Sequence, residues 1–263
     1  MSTKKQQLEQ REKDARNIVS TKVKQIALIT GDEAKASKIS SALVQLSQNN
    51  NLIDCTVDSI VNVGFQIVQA GLNPNPLFGH AYVVPFKISG KNGGQDFVVA
   101  QLQIGYKGYI QLGYRAGWRF KAVPVYKCDT FNINFGGFED EITLSPDYDK
   151  REEDNGNWVF KNLAGIIVYA KDKHDYISTE FIPFKKLEQL RQKSQNQVKS
   201  KLQYIWLEWA EEMYKAKALK YVIDRLPIED EVKEVLISEN QPYIDAQVVD
   251  NPDSKPTTDM NSL

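Results

Sequence analysis

The chain has 263 residues, of which 41% are hydrophobic and 25% charged, enough apolar material for a sizeable folded core. Two cysteines (Cys55, Cys128), two histidines (His80, His174) and no C-x-x-C spacing argue against a disulfide framework or a cysteine zinc site. No apolar run reaches the ~18 residues that cross a bilayer, and residues 1–16 hold no apolar h-region, so neither a membrane span nor a secretory leader is expected.

The formal net charge of −1 hides segregation. Residues 101–128 carry five basic residues and no acidic one, and residues 185–225 carry ten basic and five acidic. Residues 139–154 carry eight acidic and two basic, and residues 228–263 nine acidic and two basic. Such blocks predict a basic binding surface with acidic segments elsewhere.

In chain order, a Gln/Glu/Lys/Arg-rich helix is expected over 4–29, with Ile18, Val19, Val23, Ile26 and Ala27 as its apolar set. A second runs over 32–46 and ends at the Gln-Asn-Asn-Asn cluster 48–51. Thr56 caps a third, with an apolar face from Val57 to Val68 and Gly71 as its left-handed terminator. The proline-punctuated segment 72–77 is a loop. Strands at 81–86 and 97–102 flank a hairpin loop at 89–94. A helix over 105–116 and a strand over 118–126 follow. Then come a long acidic loop at 137–157 and strands at 158–170 and 176–181 around the turn 171–175. Helices are expected over 184–193 and 202–226, the latter stopped by Pro227. Beyond about Tyr243 the chain reads as a disordered tail. This order is α+β, without the regular alternation of a doubly wound fold.

The helix at 106–117 is the most informative element. At 100° per residue, Lys107, Gln111, Tyr114 and Arg115 share one side and Tyr109, Leu112 and Ala116 the other, with Ile110 and Gly113 at a flank. Two cations, an amide and a phenol suit a phosphate backbone and a stacked base. Gly108 to Gly113 has the glycine spacing of a P-loop, but Tyr114-Arg115 stands where Lys-Ser/Thr is required, so no ATP site is expected. The acidic cluster 139–154 is not followed by a correctly spaced Glu-x-Lys on a strand; Glu231-Val-Lys233 lies in the acidic C-terminal region, and the cluster reads as a solvated loop. His80 has no paired acid and is poor material for catalysis, and both cysteines read as buried thiols. In the last helix Ala216, Leu219, Ile223 and Leu226 share one side, away from Lys217, Lys220 and Tyr221, while Trp206, Trp209 and Met213 read as core.

Four runs carry a resemblance. They are Gln69-Ala-Gly-Leu-Asn-Pro-Asn-Pro-Leu-Phe-Gly-His-Ala-Tyr-Val-Val-Pro-Phe86, Gln101-Leu-Gln-Ile-Gly-Tyr-Lys-Gly-Tyr-Ile-Gln-Leu-Gly-Tyr-Arg-Ala-Gly117, Val125-Tyr-Lys-Cys-Asp-Thr-Phe131, and Trp209 to Met213 with Lys215, Lys217 and Ala218 through Leu226-Pro227. Across roughly 57–227 their order and spacing resemble the RecT family of phage recombinases, related to the Red-beta group. The resemblance implies a central antiparallel sheet with flanking helices and an ATP-independent single-strand annealing protein, not an enzyme. Such a protein binds single-stranded DNA and the annealed duplex and assembles into a homo-oligomeric ring or helical filament. It works with a phage 5′-to-3′ exonuclease in the bacterial cytoplasm; the acidic tail from about Ile228 reads either as recruiting a nuclease or a host single-strand-binding protein or as keeping the basic groove from non-specific contact. No cofactor or metal is required, with magnesium only a modulator of DNA binding.

Motif positions assign Lys107 and Arg115, with Tyr106 and Tyr109 beside them, to a basic DNA groove; Lys127, Lys215 and Lys217 also match family positions. Gln111 and Tyr114 join them from the helix face, and Arg119, Lys121, Lys185, Lys186 and Arg191 from charge and position. His80 either touches DNA or shapes its turn. The implied organisation is an N-terminal helical region (1–55) for oligomer contacts, an annealing core (56–227) and an acidic, largely disordered tail (228–263). Two other classes stand beside this one: a protective single-strand-binding protein without annealing activity, and a magnesium-dependent DNA-processing enzyme using the acidic cluster.

Overall fold

The structure, a computed structural model, describes residues 2–88, 96–134, 136, 140–193, 202, 204–228, 230–239 and 241. The chain forms two compact units: Met1–Pro76 and Ala81–Gln103 belong to the first, Leu77–His80 and Ile104–Ser238 to the second.

In the first unit α1 (Ser2–Thr30), α2 (Glu33–Leu46) and α3 (Val57–Gln69) pack on one another. Asp32 caps α2 through the Lys35 amide, and Thr56 caps α3 through the Ser59 amide. Gly71, at φ 68°, ends α3 in the left-handed region, as its sequence position predicts. Ile60, Val61, Val63, Ile67 and Val68 bury the apolar face of α3. The Arg11 guanidinium of α1 is buried and donates to the carbonyls of Ser47, Leu52 and Cys55 at 3.0–3.1 Å, satisfying the turn between α2 and α3. β1 (Ala81–Ile88) and β2 (Phe97–Ile104) pair, and β2 is tied to α3 by the Ala100 amide donating to Ser59 Oγ. The hairpin loop expected at 89–94 lies outside the described residues.

The second unit holds an antiparallel sheet of β3 (Trp118–Tyr126), β6 (Leu163–Asp172) and β7 (Ile177–Pro183), in the order β3-β6-β7. The fold is therefore α+β, with helices flanking an antiparallel sheet. Phe120, Ala122, Ile166, Val168, Ala170 and Ile182 form its inner face, against which α4 (Tyr106–Arg115), α6 (Phe184–Gln192) and α8 (Ala210–Ile223) pack. The opposite face carries four cross-strand rows: Arg119–Lys171–Ile177, Lys121–Tyr169–Thr179, Val123–Ile167–Phe181 and Val125–Gly165–Pro183. A hairpin of β4 (Thr130–Asn134) and β5 (Glu141–Ser145) covers the third row, with Phe131 4.7 Å from Phe181 between ring centroids.

Several expectations are corrected here. Part of the acidic loop is strand β5. Trp158 to Asn162 is not strand but the end of helix α5 (Gly156–Asn162), because Asn155 caps it through the Trp158 amide and Gly156 seats it on the Leu207 backbone. The last long helix is two: α7 (Tyr204–Glu208) and α8, broken at Trp209, whose φ −130° and ψ 38° are not helical. Trp206 is core, stacked edge-on against Tyr214 at 5.0 Å, but Trp209 is 58% exposed. Within the segment expected as tail, Asp230–Ser238 forms α9, which buries Val232 and Leu236 and is held by Lys220 Nζ donating to the Leu236 carbonyl. The rest of the expected tail, from residue 242, lies outside the described residues. Among the described residues, no helix is long and apolar enough to cross a membrane.

Candidate nucleic-acid interface

The α4 surface starts from a backbone constraint. Gly79, at φ 66°, turns the chain so that the His80 carbonyl accepts a hydrogen bond from the Gly105 amide at 3.0 Å, and Gly105 is the N-cap of α4. Gly108, one turn on, packs directly against that same carbonyl. The Gly79-His80 pair thus fixes where α4 begins. Burial, and then the Lys107 ammonium, hold the His80 imidazole below its ordinary proton affinity, which favours its neutral form.

Along α4, Tyr109 and Leu112 are each 2% exposed and Gly113 lies against the Phe120 ring. Lys107 and Arg115 are exposed, Tyr114 is 66% exposed, and Gln111 is half-buried. The helix therefore offers the polar face its periodicity predicts. Tyr109 is a correction: its ring is core and unable to meet DNA. Tyr106 is half-buried, with the Lys215 ammonium 5.6 Å from its ring centroid.

Arg119 and Lys121 are exposed on β3, but they alternate with Phe120, which contacts α4. They therefore lie on the opposite side of the sheet from α4. The residues expected in one groove fall on two basic surfaces. The sheet surface also includes Lys171, opposite Arg119, and Tyr169, opposite Lys121. Neither was picked out from sequence; the apolar alternation Ile166, Val168, Ala170 is the signal that turns them outward. Among the described residues no carboxylate pairs with Lys107, Arg119 or Lys121.

The remaining cations are more committed. Arg191 is fully buried, with Nε and Nη2 donating to the two Glu188 oxygens at 2.7 and 2.8 Å and the rings of Phe160 and Trp206 beside it. Tyr214 donates to the same Glu188 at 2.5 Å, and burial followed by that carboxylate raises its pKa. Arg191 is a core strut, not a groove residue; its carboxylate, one helical turn earlier, keeps it inside. Lys215 is nearly buried between Glu211 and Glu212, and its charge is already neutralised there. Lys127 donates through Nζ to the Lys161 carbonyl at 2.5 Å and through its amide to the Asn162 carbonyl, closing the end of α5. Lys186 is half-buried, 5.2 Å from the Tyr221 ring centroid, Lys217 is half-buried and Lys185 is exposed.

The acidic segment is held from within. Asp129 accepts two bonds from Arg151, at 3.0 and 2.7 Å, and others from the Tyr126 and Asp147 amides, while Asp147 pairs with Lys150. Among the described residues no group of three or more histidine, cysteine, aspartate or glutamate side chains is arranged to hold a metal ion.

Fold and surfaces together define an α+β protein whose buried arginines are held by its own carbonyls and carboxylates, with other cations exposed on α4 and on the outer face of β3. The model of the RecT family matches residues 36–256, and the chain belongs to that family. It is 29% identical over 192 residues to Protein RecT of Escherichia coli strain K12, a match covering 72% of this chain and 65% of that protein. The match thus spans just under two thirds of its relative's length.

Proposed function

We propose that this protein binds single-stranded DNA and anneals complementary strands without ATP, as a recombination protein of the RecT family. The observation that carries this reading is α4, whose open face bears Lys107, Gln111, Tyr114 and Arg115 and no acidic residue. Its cations neutralise phosphates and Tyr114 stacks on a base. Because the first strand is held by its backbone, its base edges stay free to test a second strand by Watson–Crick pairing. The protein supplies concentration and alignment, and pairing supplies recognition; no bond is made or broken. On this reading the working form is a homo-oligomeric ring or filament with the N-terminal helices at the protomer contacts. The partners are a 5′-to-3′ exonuclease and a single-strand-binding protein in a bacterial cytoplasm, and no cofactor is consumed.

A fluorescence annealing assay with two complementary oligonucleotides, no nucleotide present, tests it. Annealing faster than in the protein-free control supports the proposal. Slowed pairing indicates a protective binding protein, and strand cleavage on adding magnesium indicates an enzyme; either result contradicts it.

A further inference from the structure

The two uncovered rows of the outer sheet face have a charge pattern that an ordinary solvated face lacks. Arg119 and Lys171 are directly opposite each other, and Lys121 is two residues along on the same face. Like charges directly opposite across a ladder are destabilising, and here no strand residue of these rows is acidic. Tyr169 and Thr179 add two half-buried hydroxyl-bearing side chains to the same rows. The β4–β5 hairpin covers the third row through Phe131, and among the described residues the face is open at the Arg119 end.

Among the described residues, a single carboxylate pairs with a cation of these rows from outside them. Lys171 Nζ lies 2.6 Å from Asp175 Oδ1, and both side chains are exposed. Asp175 sits in the turn between β6 and β7 at φ 67°, the one described non-glycine residue with positive φ. The turn does not need this carboxylate. Its amides of His174 and Tyr176 are bonded by Asp172 Oδ1, each at 2.8 Å, and the Asp172 amide donates to the Tyr176 carbonyl. The Asp175 side chain is thus a local anion occupying a cation that would otherwise stand unpaired.

We propose that this sheet face is a second DNA-backbone surface, in which Arg119, Lys121 and Lys171 receive phosphates and Asp175 competes with DNA for Lys171. The proposal rests on the single-stranded DNA reading above and adds to it a second contact surface and a built-in competitor. DNA binding exchanges the Asp175–Lys171 pair for a phosphate–Lys171 pair, so the carboxylate lowers affinity without closing the surface.

The test is binding of fluorescent oligothymidylate to the full chain across a salt series, for the wild type, Lys171→Gln, Asp175→Asn, the double variant and Lys107→Ala. Asparagine tolerates the left-handed region, so the turn is kept. Asp175→Asn is expected to bind about two- to fivefold tighter, the range of an exposed ion pair. Lys171→Gln is expected to bind more weakly and to lower the salt slope by ~0.7–1. In the Lys171→Gln background the Asp175 substitution should lose its effect, because its target is gone. An equal gain in both backgrounds would mean a general field effect and overturn the competition. If Lys107→Ala weakens binding while neither Lys171→Gln nor Asp175→Asn changes it, the second surface is refuted and the annealing reading stands. If the wild type binds no DNA, both fall. Should a variant misfold, acylation footprinting of the wild type decides: Lys171 is expected to be protected by oligothymidylate, and unchanged labelling contradicts the proposal.

Discussion

The carbonyl oxygen of His80 fills the space into which any side chain at position 108 would project: a β-carbon on Gly108 would lie 2.0 Å from it. The obstacle is backbone that also bonds the N-cap of α4, so it cannot swing aside as a side-chain tip would. In an open helix Gly→Ala gains up to ~1 kcal/mol. Here the clash wins, and Gly108→Ala is expected to lower stability by roughly 1–3 kcal/mol, read as a lower urea midpoint. An unchanged or raised midpoint would show that His80 and α4 are not locked together.

Arg191 separates charge from function. Truncating one member of a buried ion pair costs about 3–5 kcal/mol because its partner is left alone. Arg191→Ala should therefore unfold at much lower urea, since Glu188 and Tyr214 lose their shared cation. The fraction still folded should bind oligothymidylate with wild-type affinity. Weaker binding at unchanged stability would return Arg191 to the groove.

The two tryptophans flanking the α7–α8 break should differ sharply. Trp206→Ala empties a packed site beside Tyr214 and Arg191 and is expected to cost ~3–5 kcal/mol. Trp209→Ala removes a mostly exposed ring and should stay within ~1 kcal/mol. Parallel urea titrations check both, and equal losses would contradict the break at Trp209.

Acid should loosen the second unit through two carboxylates. At Asp129 burial raises the pKa, but hydrogen bonds from Arg151 and the Tyr126 and Asp147 amides outweigh it, leaving it below the ordinary 3.8. At Glu188 burial likewise raises it, and Arg191 and Tyr214 bring it below 4.5. A depressed folded pKa gives stability that is present above the unfolded value and lost as pH falls through the folded one. The urea midpoint is thus expected to hold near neutrality and fall once pH drops below about 4.5. Asp129→Asn should be less stable at neutral pH and show a shallower acid fall. An unchanged acid slope would remove Asp129 from the account.

Much of this was legible in the chain because local signals and packing agreed. Thr56 and Gly71 bracket α3, the face of α4 follows its 3.6-residue period, and β3 runs over the expected residues. The failures share a cause: the deciding partner is remote or the signal ambiguous. Trp158-Val-Phe reads as strand until Asn155 and the Leu207 backbone make it a helix. The helical period already sets Tyr109 opposite Tyr114, but its motif position beside Lys107 drew it into the groove, and its burial removes it. A positive charge does not say whether a carboxylate awaits it, which is why Arg191 and Lys215 read as groove residues. Alternation with the apolar Ile166, Val168 and Ala170 turns Tyr169 and Lys171 outward, but with that strand expected to end at residue 170 Lys171 read as part of the turn.

The central claim is that the exposed face of α4 holds the DNA backbone. Its most direct measurement is the affinity for oligothymidylate across a salt series for the wild type, Lys107→Ala and Arg115→Ala. Each variant is expected to bind every sequence more weakly and to lower the salt slope by about one counterion, ~0.7–1, and the urea midpoint of Lys107→Ala is expected to stay unchanged. Wild-type affinity and slope in both variants would contradict the assignment of α4 as the DNA-binding surface.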